Sequence, residues 1–133
     1  MVHDVVRELG HLTLGTRLKR LGERLQAQTQ RILDVHDVPI QASQFPFLAA
    51  IDRAQPITVG ELAEAVGVTQ PAATRALAQL QAEGLVAIAV ASGDQRRKQV
   101  TLTRRGAAIV DTGRREVWPV IEGAVKRACH RLS

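Results

Sequence analysis

The sequence predicts a mainly α-helical fold with one small β-hairpin. Three observations carry that prediction. Apolar residues recur at helical spacing through most of the 133 residues. Two short helical segments meet at Gly67-Val68, each opened by a threonine suited to capping. An apolar run, Leu85 to Ala91, and an alternating run, Lys98 to Thr103, flank the turn signal Ser92-Gly93-Asp94. Helix, turn, helix, hairpin in that order is a winged helix-turn-helix lobe. The expected division is a winged lobe over 41–103 and a helical region over 1–40 and 104–133, together one structural unit.

The elements follow in order. Val5 to about Val35 reads as one long helix: Leu14, Leu18, Leu21, Leu25 and Ile32 form its stripe, with Arg17, Lys19, Arg20, Glu23 and Arg24 between them. Gly10, Gly15 and Gly22 each weaken it by about 1 kcal/mol against alanine. So long a helix exceeds what a small domain covers, so its stripe is expected to meet a second chain. Packing within its own chain is the alternative. Pro39 ends it. A second helix is expected from Ser43 as N-cap, with Pro46 in its first turn, to Ala54 before Gln55-Pro56.

Thr58-Val59-Gly60-Glu61 fits the capping box T-x-x-E, opening a helix with Val59, Leu62, Ala63 and Val66 inward. Gly67 suits a left-handed end. Thr69 caps the next helix, with Pro71 in its first turn, Ala73, Ala76, Leu77 and Leu80 inward, and Gly84 at its end. Arg104 to Leu132 is largely helical, interrupted at Gly106, Gly113 and Pro119, and Pro119 is expected to kink or restart it.

Composition narrows the function classes. Formal net charge is +5 and pI about 10.6, compatible with nucleic acid or an anionic surface. Aromatics are 2%, only Phe45, Phe47 and Trp118, which argues against single-strand binding by base stacking. One cysteine, Cys129, allows no intramolecular disulfide and suits a reducing cytoplasm. It is expected as a buried structural residue. No signal peptide is read at the start, and the longest apolar run, Pro46 to Ile51, is too short to span a membrane.

Enzymatic chemistry has no support. His3, His11, His36 and His130 are scattered and none has metal-ligand spacing. No nucleophile elbow, phosphate loop or dinucleotide fingerprint occurs. Cys129 and His130 are adjacent, so on a helix they point apart. The expectation is no enzyme, no metal and no resident cofactor.

The helix from Thr69 exposes Thr69, Gln70, Pro71, Thr74, Arg75 and Gln79, with no carboxylate before Glu83. Short polar and cationic side chains of this kind let a backbone approach a major groove and pair base edges. In the hairpin, Arg96, Arg97 and Lys98 stand against one acid, Asp94, with Arg104 and Arg105 following. Such a tip can enter a minor groove or clamp phosphates. Asp94 can hold an arginine of its own turn in place. Taken alone, a solvated turn explains the charges as well.

Together these residues resemble the MarR family of winged-helix transcription regulators, from about Leu9 to Ala124. The likeness is strongest in ITVGELAEAVGVTQPAATRALAQLQAEGLV and GDQRRKQVTLTRRG, and it includes the pair Asp94-x-Arg96 and the run Leu102-Thr103-x-x-Gly106. The resemblance implies a homodimer held by its first and C-terminal helices. It implies two recognition helices in successive major grooves of a palindromic operator on double-stranded DNA, with wings toward the minor grooves. Many such proteins are repressors released by a small aromatic or phenolic effector bound between the dimer region and the lobe. His11, Arg17, Phe45 and Phe47 are the candidates for that cleft, although Phe45 and Phe47 fit the core better.

Ala91-Ser92 departs from the family's Asp-Pro, which implies a less tightly fixed wing. The family's oxidation-sensing cysteine near the first helix has no counterpart. The family continues through one more helix, and Ser133 would suit its N-cap, so the chain is expected to be cut short there. The function expected is a ligand-responsive, sequence-specific DNA-binding repressor, homodimeric and cytoplasmic, without membrane contact. A winged-helix protein-interaction module that binds no DNA is the alternative.

Overall fold

The computed structural model describes residues 2–90 and 97–130. It opens with a short helix α1 (Val5–Glu8), a 3-10 turn (Gly10–Thr13) and the long helix α2 (Leu14–Val35). The single helix expected from Val5 is therefore broken. Gly10 takes φ +57, which the right-handed helix does not allow. The Thr13 hydroxyl donates to Gly10 O at 3.1 Å and also to Val6 O, closing the bend. Asp4 caps α1 through the amides of Val6 and Arg7 and pairs with Arg20 at 3.2 Å, so α1 turns back beside α2. The Arg20 guanidinium, with the Arg7 amide, holds the Asp4 carboxyl below its ordinary 3.8.

Past Pro39 a 3-10 turn (Ala42–Gln44) leads into α3 (Phe45–Ala54). Ser43 is not the cap. Gln41 and Gln44 satisfy each other reciprocally one turn earlier, and Pro46 sits in the first turn of α3 as expected. The Gln55-Pro56 peptide is cis. Next come β1 (Ile57–Thr58), α4 (Val59–Val66), α5 (Gln70–Ala82), β2 (Val86–Val90) and β3 (Lys98–Leu102). The hairpin is thus part of a three-stranded antiparallel sheet ordered β1-β3-β2, with Ile57 opposite Val100 and Val86 opposite Leu102. β1 was not expected, because two residues carry no alternation to detect.

The chain closes with α6 (Arg104–Thr112), a π-turn (Gly113–Val117) and α7 (Trp118–His130). Gly106 does not interrupt α6. The helix restarts at Trp118 with Pro119 in its first turn, and the widened turn lies directly before it, where an α-helical bond from the Pro119 nitrogen cannot form. Gly113 makes room for the Trp118 ring, since a Cβ there would overlap it.

Leu48, Ile51, Leu62, Leu77, Leu80, Leu85 and Val100 are fully buried and form the core of the winged lobe, joined by Leu33 from the end of α2 and Val117 from the π-turn. The rest of α2 contributes little to it. Leu12, Leu14 and Leu18 are exposed in the single chain, as is Val120 on α7. Cys129 is also exposed, against the expectation of a buried cysteine, because it lies at the end of α7, beyond Ala124, the buried residue of that helix. Among the described residues no helix is long and apolar enough to cross a membrane.

Candidate nucleic-acid interface

Local capping sets the helix pair. The Thr58 hydroxyl accepts from the Glu61 amide at 3.2 Å and donates to Glu61 Oε1 at 2.7 Å. The Glu61 carboxylate therefore engages the threonine hydroxyl rather than its amide; Thr58 is at the same time paired with Gln99 in the sheet. Gly67 at φ +80 ends α4, its N–H returning to Ala63 O at 2.9 Å. Thr69 caps α5 by accepting from the Ala72 amide at 3.3 Å.

α5 presses Ala73, Leu77 and Leu80 into the core. Its other side exposes Thr69, Gln70, Pro71, Thr74, Arg75 and Gln79. The Thr74 hydroxyl donates back to Gln70 O at 3.0 Å, so it offers lone pairs and a methyl outward. Gln79 is turned toward Glu83 at 3.2 Å. No acid interrupts the exposed face before Glu83.

A groove of about 650 Å³ runs between the start of α4, α5 and the wing strands. Gln70 and Thr74 line it from α5, Lys98 from the start of β3 and Arg97 from just before it. Four of the residues singled out in the sequence thus converge on one concavity. Thr69, Pro71 and Arg75 stand exposed at the same end of α5 without lining it. Asp94 and Arg96 lie outside the described residues, as do Ala91 and Ser92. Glu61 is an acid in the groove that sequence reasoning missed. Its capping-box role points to the local helix start, and only the fold turns it toward α5.

The effector candidates are not gathered into one pocket in the single chain. Phe47 is core. Phe45 is half-buried and meets Trp118 edge to face, with ring centroids 4.7 Å apart at 87°. With Trp118, Ile121 and Val125 it lines a mostly apolar hollow of about 340 Å³ between α3 and α7, which Glu122 and Lys126 border. His11, in the 3-10 turn, and Arg17, in the first turn of α2, are exposed and line neither this hollow nor the groove. Trp118 and Ile121 were missed because nothing in the sequence pairs α7 with α3. Among the described residues no three histidine, cysteine or acidic side chains are clustered to hold a metal ion.

The family model described as MarR family matches residues 36–97. Among solved structures, the reduced form of MarR from E. coli is 30% identical, with TM-score 0.66 over 84% of this chain and 83% of that chain. A cysteine-to-serine mutant of MarR from E. coli complexed with operator DNA is 28% identical, with TM-score 0.73 over 95% and 87%. The S. aureus MepR–DNA complex shares the fold at 21% identity, with TM-score 0.75 over 91% and 85%.

Proposed function

The chain belongs to the MarR family, and on that premise we propose that it is a sequence-specific DNA-binding transcription regulator acting as a homodimer. One observation carries the reading: Gln70 and Thr74 of α5 share a single groove with Lys98 of β3 and Arg97 just before it. B-DNA's major groove, about 12 Å wide, admits a helix whose exposed side chains are short, and glutamine or arginine there reads base edges. Cations at the wing then bind the flanking phosphates or minor groove. Thr69, Pro71 and Arg75 stand at the leading end of α5, where first contacts fall in helix-turn-helix docking.

The exposed Leu12, Leu14 and Leu18 supply the apolar surface of the dimer, together with Val120 on α7. The regulator is a repressor, cytoplasmic and without catalytic activity. Its effector is a small aromatic or phenolic molecule, for which the hollow at Phe45 and Trp118 offers an apolar seat. Selection from random duplexes tests the reading. The expected product is a palindromic sequence with half-sites about 10–10.5 base pairs apart, or a multiple of that. Failure to enrich any sequence over a scrambled duplex would refute it.

A further inference from the structure

Among the described residues Gln44 is the one polar side chain that is buried, at 5% exposure. A buried amide is tolerated only when its groups are paired. Its oxygen accepts from the Gln41 amide at 2.8 Å, a local cap. Its nitrogen donates to Glu83 Oε2 at 3.1 Å, and Glu83 lies 39 positions along the chain, at the end of α5. The other Glu83 oxygen accepts from Gln79 Nε2 at 3.2 Å, on the last turns of α5.

The 3-10 turn that carries Gln44 is itself fastened to α2. Gln30 Oε1 accepts from the Ala42 amide at 2.8 Å, and Gln30 Nε2 donates to Ile40 O at 3.3 Å. Hydrogen bonds and a short stretch of backbone therefore run from the last third of α2 to the end of α5. Leu33 of α2 and Leu80 of α5 share the core, but apolar burial is non-directional and names no angle between the helices. Hydrogen bonds weaken steeply away from their preferred geometry, so they fix an orientation that packing leaves loose.

We propose that the Gln44–Glu83 pair is a positioning device: it holds α5 at a set angle to α2, and so sets the half-site spacing that a dimer accepts. This rests on the reading of the chain as a dimeric DNA-binding regulator. The carboxylate that closes the α5 sequence is then not a flaw in a DNA-reading helix. It faces inward, toward Gln44.

The test compares the full chain with Glu83→Ala, which leaves the Gln41–Gln44 cap intact, and with the paired exchange Gln44→Glu plus Glu83→Gln, which reverses donor and acceptor. The probes are the selected duplex and duplexes with its half-sites moved one base pair closer or farther. Discrimination against the altered spacings should fall about tenfold in Glu83→Ala, the scale of one hydrogen bond to a charged group. The paired exchange should restore it. Unchanged discrimination in Glu83→Ala, or a loss equal at every spacing, would overturn the proposal. Residual dipolar couplings give a readout without DNA: the amides of α2 and α5 should fit one alignment in the wild-type chain and two in Glu83→Ala. If the wild-type chain binds no duplex, the functional reading fails, and the couplings alone decide the tether. One shared alignment in Glu83→Ala would then overturn it.

Discussion

Replacing Gly106 with alanine tests the packing of α6 against the lobe. The Thr103 hydroxyl accepts from the Gly106 amide at 3.0 Å and donates to Gly84 O at 2.6 Å, while the Thr103 amide donates to Leu85 O at 3.1 Å. The first turn of α6 is thereby pressed onto the Gly84-Leu85 backbone. A Cβ at 106 would fall 2.1 Å from Leu85 O and 3.0 Å from Leu85 C, so backbone must move. Overpacking of this kind costs about 1–3 kcal/mol. Displacing α6 also strains the two Thr103 bonds to residues 84 and 85, at about 1 kcal/mol each. The better helix propensity of alanine returns about 1 kcal/mol. The net expectation is a loss of about 2–4 kcal/mol. At roughly 4 °C per kcal/mol for a chain of this size, Tm falls by about 8–16 °C. Urea and thermal unfolding, at one fixed protein concentration since a dimer's stability depends on it, measure the loss. Gly60→Ala is the control. Nothing lies within 4 Å of its added Cβ, so the same exchange in α4 should be neutral or stabilising by up to about 1 kcal/mol. A Gly106→Ala change within about 0.5 kcal/mol of wild type would refute the reasoning.

Three further outcomes are expected. Lys98→Ala should weaken DNA binding across sequences and lower the slope of log affinity against log salt by about one unit, as one phosphate contact does; an unchanged slope would remove Lys98 from the interface. Arg75→Ala should lose about 1–3 kcal/mol at the selected duplex and relax preference at one base pair if the contact is to a base edge, whereas equal losses on random DNA would assign it to phosphate. The Asp4 carboxyl should titrate below 3.8, so the cap on α1 is fully present above that value and is lost as pH falls through the lowered one. Arg20→Ala should raise that titration toward 3.8, and carboxyl chemical shifts followed through a pH series would detect the change.

The helix pair was legible because its signals are local. Thr58, Gly67, Thr69 and Gly84 each satisfy or release backbone groups within four residues, and the structure places every one of those turns where the pattern did. What escaped the sequence is long-range. β1 exists only because Ile57 and Thr58 meet Val100 and Gln99 across the fold. The Gln41–Gln44 cap displaced Ser43, since the reciprocal glutamine pair satisfies the amides of residues 41 and 44 and starts the turn before Ser43. Gly10 interrupts a helix whose apolar period continues past it, so periodicity alone read straight through. The site divides the same way. The exposed face of α5 follows from its apolar stripe, and the convergence of Arg97 and Lys98 on it follows from β3 lying beside β2. The inward turn of Glu83 depends on Gln44, which no sequence spacing pairs with it.

The most direct test of the central claim is a titration of the isotopically labelled chain with the selected duplex, read by backbone amide chemical shifts. The account predicts that the shifts concentrate on Thr69 to Arg75, skipping Pro71, and on Arg97 and Lys98, with two chains bound per duplex. Shifts confined to other surfaces, or the same pattern with any scrambled duplex at physiological salt, would contradict it.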